Sequence, residues 1–173
     1  MRQRTMGGLM MFDLPMFTLI HVVVSVFGII AGLIVVGGLL AGAWFGSWTA
    51  LFLGATVFTS LSGFGFPPTA SISPAQVVGA ISLAVLALCV AARYWKQLEG
   101  RWRLTYVVTA VAALYLNVFV LVVQLFAKTP PLALLAPTQR EGPFAVTQAL
   151  VLLMFVWIGW SAARTARGAR SIA

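Results

Sequence analysis

One stretch constrains this chain more than any other. The 79 residues from Leu14 to Ala92 contain no Asp, Glu, Lys or Arg. A soluble protein has a charged residue at roughly one position in four, so no soluble fold of this size would bury so long an uncharged stretch. A transmembrane helix needs about 20 apolar residues, so the stretch has room for three spans and their turns. The sequence therefore predicts an integral membrane protein.

The rest of the chain adds two further apolar runs, and only 8% of all 173 residues are charged. We predict an all-α fold, a single transmembrane domain over residues 1–173 that forms a bundle of five helices. The basic start resembles a signal peptide, but the following apolar run is about twice a signal peptide's length, so we expect no cleavage. The predicted spans are about 16–43, 48–66, 75–95, 104–127 and 144–163.

The fourth predicted helix carries two amides, Asn117 and Gln124, within an otherwise apolar run. Seven residues are close to two helical turns, so both amides lie on one face. An amide that faced hydrocarbon would be unpaired, so this face should point at other helices and the helix should be central. Small and polar residues make up the stripe on that face: Tyr106, Ala110, Ala113, Asn117, Val120 and Gln124.

The longest connection, residues 128–143, holds an apolar segment from Leu132 to Ala136. This segment is too short to cross a bilayer and too apolar for open water, so we expect an interfacial or re-entrant piece.

With five spans, the cations divide unequally between the two sides of the membrane. All six tryptophans share the side with more cations, and we call it the tryptophan face. Its cations are Arg93, Lys96, Arg101, Arg103, Arg164, Arg167 and Arg170. The other side, the histidine face, collects Arg2, Arg4, Lys128 and Arg140. Cytoplasmic loops are enriched in Lys and Arg, so we expect the N-terminus outside and the C-terminus inside.

Several polar side chains are predicted at one depth, roughly 5–10 Å below the histidine face at 1.5 Å per residue, with Asn117 deeper. The candidate ligand-binding residues are His21, Thr59, Asn117, Gln124 and Gln148. The loops above would supply a charged rim of Asp13, Lys128, Arg140 and Glu141. Two interpretations stay open: these groups form hydrogen bonds between helices, or they line a pocket that opens to this face.

The first predicted helix contains two small-residue motifs, Gly28-x-x-x-Gly32 and Gly38-x-x-x-Gly42. Glycines at this spacing let another backbone approach closely. We expect them to serve packing within the chain, with homodimerisation through these glycines as the alternative.

Catalytic and metal-binding chemistry is poorly represented. The chain has one His and one Cys, so no His/Cys cluster has the spacing of metal ligands. A haem with two histidine ligands would need a second chain. No predicted helix contains a carboxylate. The sequence indicates no particular cofactor and does not favour an enzyme. The net charge is +8, and the cations lie beside the apolar runs, which indicates contact with membrane lipids and not with nucleic acid.

We therefore expect a small membrane protein that binds or moves an apolar small molecule, such as a lipid or quinone, in the polar layer near one face. The alternative is a non-catalytic accessory or assembly subunit of a larger membrane complex. A channel formed by an oligomer is a third hypothesis, but the polar residues thin out toward the tryptophan face. Short loops indicate a bacterial inner membrane.

Overall fold

The computed structural model describes residues 14–65 and 74–168, and within these ranges every regular element is helical. A 3-10 turn at Gly63–Gly65 extends the second helix, and a π-helical turn at Ala91–Trp95 extends the third. The helices are α1 (Leu14–Leu40), α2 (Gly46–Ser62), α3 (Pro74–Val90), α4 (Trp102–Lys128), α5 (Pro130–Leu135) and α6 (Gly142–Gly168).

Five helices of the described residues are long and apolar enough to cross a membrane, which confirms the predicted all-α membrane bundle. The last helix continues past the predicted end at residue 163, because Arg164 and Arg167 extend it, and cations are favourable near a helix C-terminus. The candidate spans are Met16–Leu40, Gly46–Gly65, Gln76–Trp95, Trp102–Lys128 and Gly142–Gly168.

The first span is shorter than predicted, because α1 ends at Leu40 and not near residue 43. Gly42 has a φ of +74°, in the left-handed region that favours glycine. The Ala43 N–H donates to the carbonyl of Gly38 at 2.8 Å, and the Gly42 N–H donates to that of Leu39 at 3.3 Å. These two bonds form a Schellman cap, which satisfies the last carbonyls of α1 and turns the chain into α2.

Helix α4 is the centre of the bundle, as its polar stripe predicts. It packs against α1, α3, α5 and α6, and 44% of its most apolar stretch is buried, more than in any other candidate span. Tyr106, Ala110 and Ala113, the first three residues of the stripe, are all fully buried.

The apolar core is concentrated toward the tryptophan face. Its α1 members begin at Ala31, and its α4 members end at Leu114. Toward the histidine face, the buried apolar residues form only a small second cluster of Val122, Phe126 and Ala136. That cluster lies beside α5, a short helix that includes most of the apolar segment predicted to be an interfacial or re-entrant piece. Among the described residues, the larger apolar cluster therefore lies toward the tryptophan face and the smaller one toward the histidine face.

The glycines of the first motif, Gly28 and Gly32, pack against other helices of the same chain. A Cβ at Gly32 would stand 2.7 Å from a methyl of Leu114 and 2.8 Å from the ring of Phe52, and both side chains are fully buried. A Cβ at Gly28 would stand 3.2 Å from that of Ala55 on α2. Gly32 therefore sets how closely α1 approaches α2 and α4.

We predict that Gly32→Ala lowers the free energy of unfolding by about 1–3 kcal/mol, because the added methyl overpacks a site whose neighbours have no room to move. Gly37→Ala on the same helix is the matched control, since a Cβ there meets nothing within 4 Å. Thermal unfolding midpoints in detergent test the pair. Equal midpoints for the two variants would contradict the close approach at Gly32.

Candidate functional site

A hydrogen-bonded cluster joins α1 to α2 near the histidine face. The Nδ1 atom of His21 lies 2.7 Å from the Oγ of Ser62. The Ser25 hydroxyl donates to the His21 carbonyl at 2.6 Å and to the Thr59 hydroxyl at 3.3 Å. His21 and Thr59 are thus brought together through Ser25, which stands one helical turn after His21.

Asn117 joins α4 to α2 deeper in the bundle. Its Nδ2 donates to the hydroxyl of Thr56 at 3.0 Å, and Thr56 is fully buried. Asn117 itself is half-buried. Its amide therefore both pairs two helices and marks the depth at which the packed core ends.

Gln124 occupies the end of the α4 stripe. It lies 18 residues after Tyr106, which is five turns, so both residues share one angular position on the helix. Tyr106 is 1% exposed and lies in the core, whereas Gln124 is exposed. No hydrogen bond to the Gln124 side chain occurs in the described part of the chain. The face of α4 that points into the bundle therefore becomes open toward the histidine face.

The same change occurs on α1. Its buried stripe through Gly32 and Gly28 continues to Ser25 and His21, which are only half-buried. The inward faces of α1, α2 and α4 thus present half-buried or exposed polar groups toward the histidine face, and we call this region the open end. Its residues are His21, Ser25, Thr59, Asn117 and Gln124.

Gln148, the remaining candidate, lies apart from this group. Its Nε2 donates to the Phe119 carbonyl at 3.2 Å, at the interface of α4 and α6. Phe119 follows Asn117 by two residues, about 200° around the helix, so Gln148 contacts a different side of α4. Its Oε1 is buried and has no hydrogen-bond partner among the described residues. Gln139, in the loop before α6, makes a similar contact one turn further along α4, where its Nε2 donates to the Val123 carbonyl at 2.9 Å.

The predicted rim is partly described, since Asp13 lies outside the described residues. Lys128 ends α4 and is exposed, as is Arg140. The Glu141 carboxylate accepts hydrogen bonds from the Thr138 hydroxyl at 2.8 Å and from the backbone N–H groups of Thr138 and Arg140. Desolvation alone would raise the pKa of Glu141, but these hydrogen bonds outweigh it and hold the pKa below its usual value. The carboxylate is therefore ionised at neutral pH and is occupied within its own loop.

Two polar contacts were missed in the sequence. Ser62, in the last turn of α2, bonds His21, and its position beside α1 depends on the crossing of the two helices. The Tyr106 and Thr49 hydroxyls lie 3.1 Å apart in the buried core near the tryptophan face. The stripe on α4 predicts that Tyr106 faces other helices, but no local spacing indicates its partner 57 residues away.

Among the described residues no group of three or more His, Cys, Asp or Glu side chains is placed to hold a metal ion. Comparison with protein-family models, with curated proteins and with solved structures finds no match. The open end offers neutral hydrogen-bonding groups and an imidazole, which suit recognition of a polar head on an apolar molecule.

We predict that Thr56→Val and Gln124→Leu differ in stability. Thr56→Val removes the acceptor of the Asn117 amide and should lower the free energy of unfolding by about 0.6–1.7 kcal/mol, the range for interhelical hydrogen bonds in membranes. Gln124→Leu removes an exposed amide with no hydrogen bond in the described part of the chain, so its effect should stay within about 0.5 kcal/mol. Unfolding in detergent measures both, and a larger loss for Gln124→Leu would show that Gln124 serves helix packing.

Proposed function

We propose that this chain is a non-catalytic integral membrane protein that binds or moves an apolar small molecule with a hydrogen-bonding head, such as a lipid or quinone, at the open end. One observation carries the proposal: the inward stripe of α4 is buried at Tyr106 and exposed at Gln124. Inward-facing polar groups that are left half-buried or exposed can form the few polar contacts that a small-molecule site needs.

The available groups define the ligand chemistry. Gln124 offers two donors and an acceptor, and Asn117 keeps its Oδ1 acceptor because only its Nδ2 is used by Thr56. Neither residue is charged. Half-buried Val24 and Val120 flank these groups with apolar surface. A neutral head with hydroxyl or carbonyl groups and an apolar body matches this combination, whereas Asn117 and Gln124 cannot neutralise a multiply charged ligand.

The location forms part of the proposal. The short loops support a bacterial inner membrane protein, and the excess of cations on the tryptophan face supports a C-terminus inside. The open end then faces the outer side of that membrane, so the ligand would enter from the outer leaflet.

Native mass spectrometry of the protein extracted gently from its own membranes tests the proposal. We expect a discrete small adduct on the wild-type chain. Gln124→Leu and His21→Ala should each lower its retention about tenfold, because an unpaired polar group in the complex costs about 1–3 kcal/mol. The adduct mass identifies the ligand.

Thr147→Val is the control, because the Thr147 hydroxyl bonds only its own helix, at the Pro143 carbonyl. This variant should keep the adduct. Gln124→Leu must keep the wild-type unfolding midpoint for the comparison to count. An adduct that survives both His21→Ala and Gln124→Leu would exclude the open end as its site.

A second candidate function, an accessory or assembly subunit, is favoured by the position of α6. Only 6% of the most apolar stretch of α6 is buried, against 22% to 44% in the other four candidate spans. One edge of α6 packs on α4, with a smaller contact to α1, while its outward face is exposed. That face, which consists of Val146, Leu150, Leu153 and Trp157, is available to an apolar transmembrane helix of another protein.

Site-specific photo-crosslinking in native membranes tests the second candidate. A photoreactive residue at Leu153, which is 64% exposed, should give a discrete protein crosslink. The control is Leu33 on α1, which is 54% exposed and should give none. If neither position yields a protein product, lipid covers α6 and the subunit role is rejected.

A further inference from the structure

A groove runs along the outer side of the α4–α6 interface, away from the open end. Its volume is about 350 Å³, near the lower end of the range for small-molecule sites. Buried Val111 and Phe155 form its inner wall, and Gly159 leaves space at its centre. The remaining lining residues are also mostly apolar: Val108, Ala112, Tyr115, Leu152, Val156, Trp160 and Ala163.

The length of the groove matches one leaflet. Along α6 it extends from Leu152 to Ala163, which is about 16 Å at 1.5 Å per residue. The hydrocarbon core of a bilayer is about 30 Å thick, so the groove covers about half of it. Because Trp160 and Ala163 lie toward the tryptophan face, this is the half that adjoins the cationic surface.

A cation stands at the membrane-surface end of the groove. The Arg164 guanidinium carbon lies 3.8 Å from the centroid of the Trp160 ring, and that ring lines the groove. Stacking uses the flat face of the guanidinium and leaves its N–H groups pointing outward in the plane, where they can donate to a phosphate.

The surrounding surface has the same sign. The described residues of the tryptophan face include six cations, at positions 93, 96, 101, 103, 164 and 167, against the single carboxylate of Glu99. Three more of these cations lie over aromatic rings, as Arg93 does on Tyr106, Lys96 on Trp102 and Arg103 on Trp44. A uniformly cationic interface attracts anionic headgroups.

We propose that the α4–α6 groove binds an anionic phospholipid, with one acyl chain along Gly159 and the headgroup phosphate at Arg164. The apolar lining, the length of one leaflet and the cation stacked at the mouth together match this one class of ligand. The site lies near the opposite face from the open end and does not depend on the function proposed there.

Lipid titration of the full-length protein in detergent, followed by native mass spectrometry, tests the site with phosphatidylglycerol and phosphatidylcholine. We expect the anionic lipid to bind about fivefold more tightly, and Arg164→Gln to remove that preference, because one surface cation contributes roughly this factor. Arg167→Gln, the matched charge control, should retain it, since Arg167 is exposed and is not stacked on Trp160.

Filling the groove tests the acyl-chain part. Gly159→Leu should weaken the binding of both lipids by at least about tenfold. A Cβ at Gly159 meets only a methyl of Val111 at 3.5 Å, so the larger side chain extends into the groove. Ala112→Leu on the opposite wall is the second filling variant, and Gly54→Leu, where a Cβ meets nothing within 4 Å, is the control.

Three results would overturn the site. Equal affinity for phosphatidylglycerol and phosphatidylcholine would show that Arg164 does not select an anionic headgroup. Equal losses in Arg164→Gln and Arg167→Gln would show diffuse attraction by the whole cationic face. Unchanged affinity in both Gly159→Leu and Ala112→Leu would place the lipid outside the groove.

Discussion

The structure depends on one constraint: inside a bilayer, a polar group must find its partner within the protein, because hydrocarbon offers none. Helices satisfy the backbone, and the polar side chains then bond across helices. Asn117 pairs with Thr56, and Tyr106 with Thr49, so that α4 is bonded to α2 at two depths. Gln148 connects α6 to α4 in the same way, through the carbonyl of Phe119. Only a few such contacts hold the packing of otherwise uniformly apolar helices in register.

The two halves of the bundle differ in the residues at their inward-facing positions. Toward the tryptophan face, small residues allow close packing, as where Gly32 of α1 lies against Phe52 and Leu114. Toward the histidine face, the inward positions hold polar residues that are half-buried or exposed, such as His21 and Gln124. The larger apolar cluster gives rigidity, whereas the half-buried or exposed hydrogen-bonding groups toward the histidine face can contact another molecule. The ligand proposed at the open end follows from this division, whereas the phospholipid proposed at the α4–α6 groove follows from the groove lining and from Arg164.

Much of the fold could be predicted from the sequence, because length and hydropathy determine transmembrane spans directly. The central position of α4 followed from its stripe of small and polar residues, whereas the apolar segment between the last two spans predicted an interfacial or re-entrant piece and not its helical form. The candidate site was only partly predictable. Depth along a helix follows from residue number, so the sequence predicts His21, Thr59 and Gln124 near one face, but depth does not say which helices are neighbours. Gln148 has the same depth and lies on another side of α4.

The sequence by itself determined that this protein lies in a membrane, how many helices cross it and which face carries the cations, since these properties depend on local composition and helix length. Only the tertiary structure decided which polar groups are used between helices and which remain available. Ser62 meets His21 from 41 residues away, and Arg164 stacks on a ring that lines a groove between two helices. Such contacts depend on crossing angles and helix rotation. Those are set by the packing of side chains distant in the chain, which no local pattern encodes.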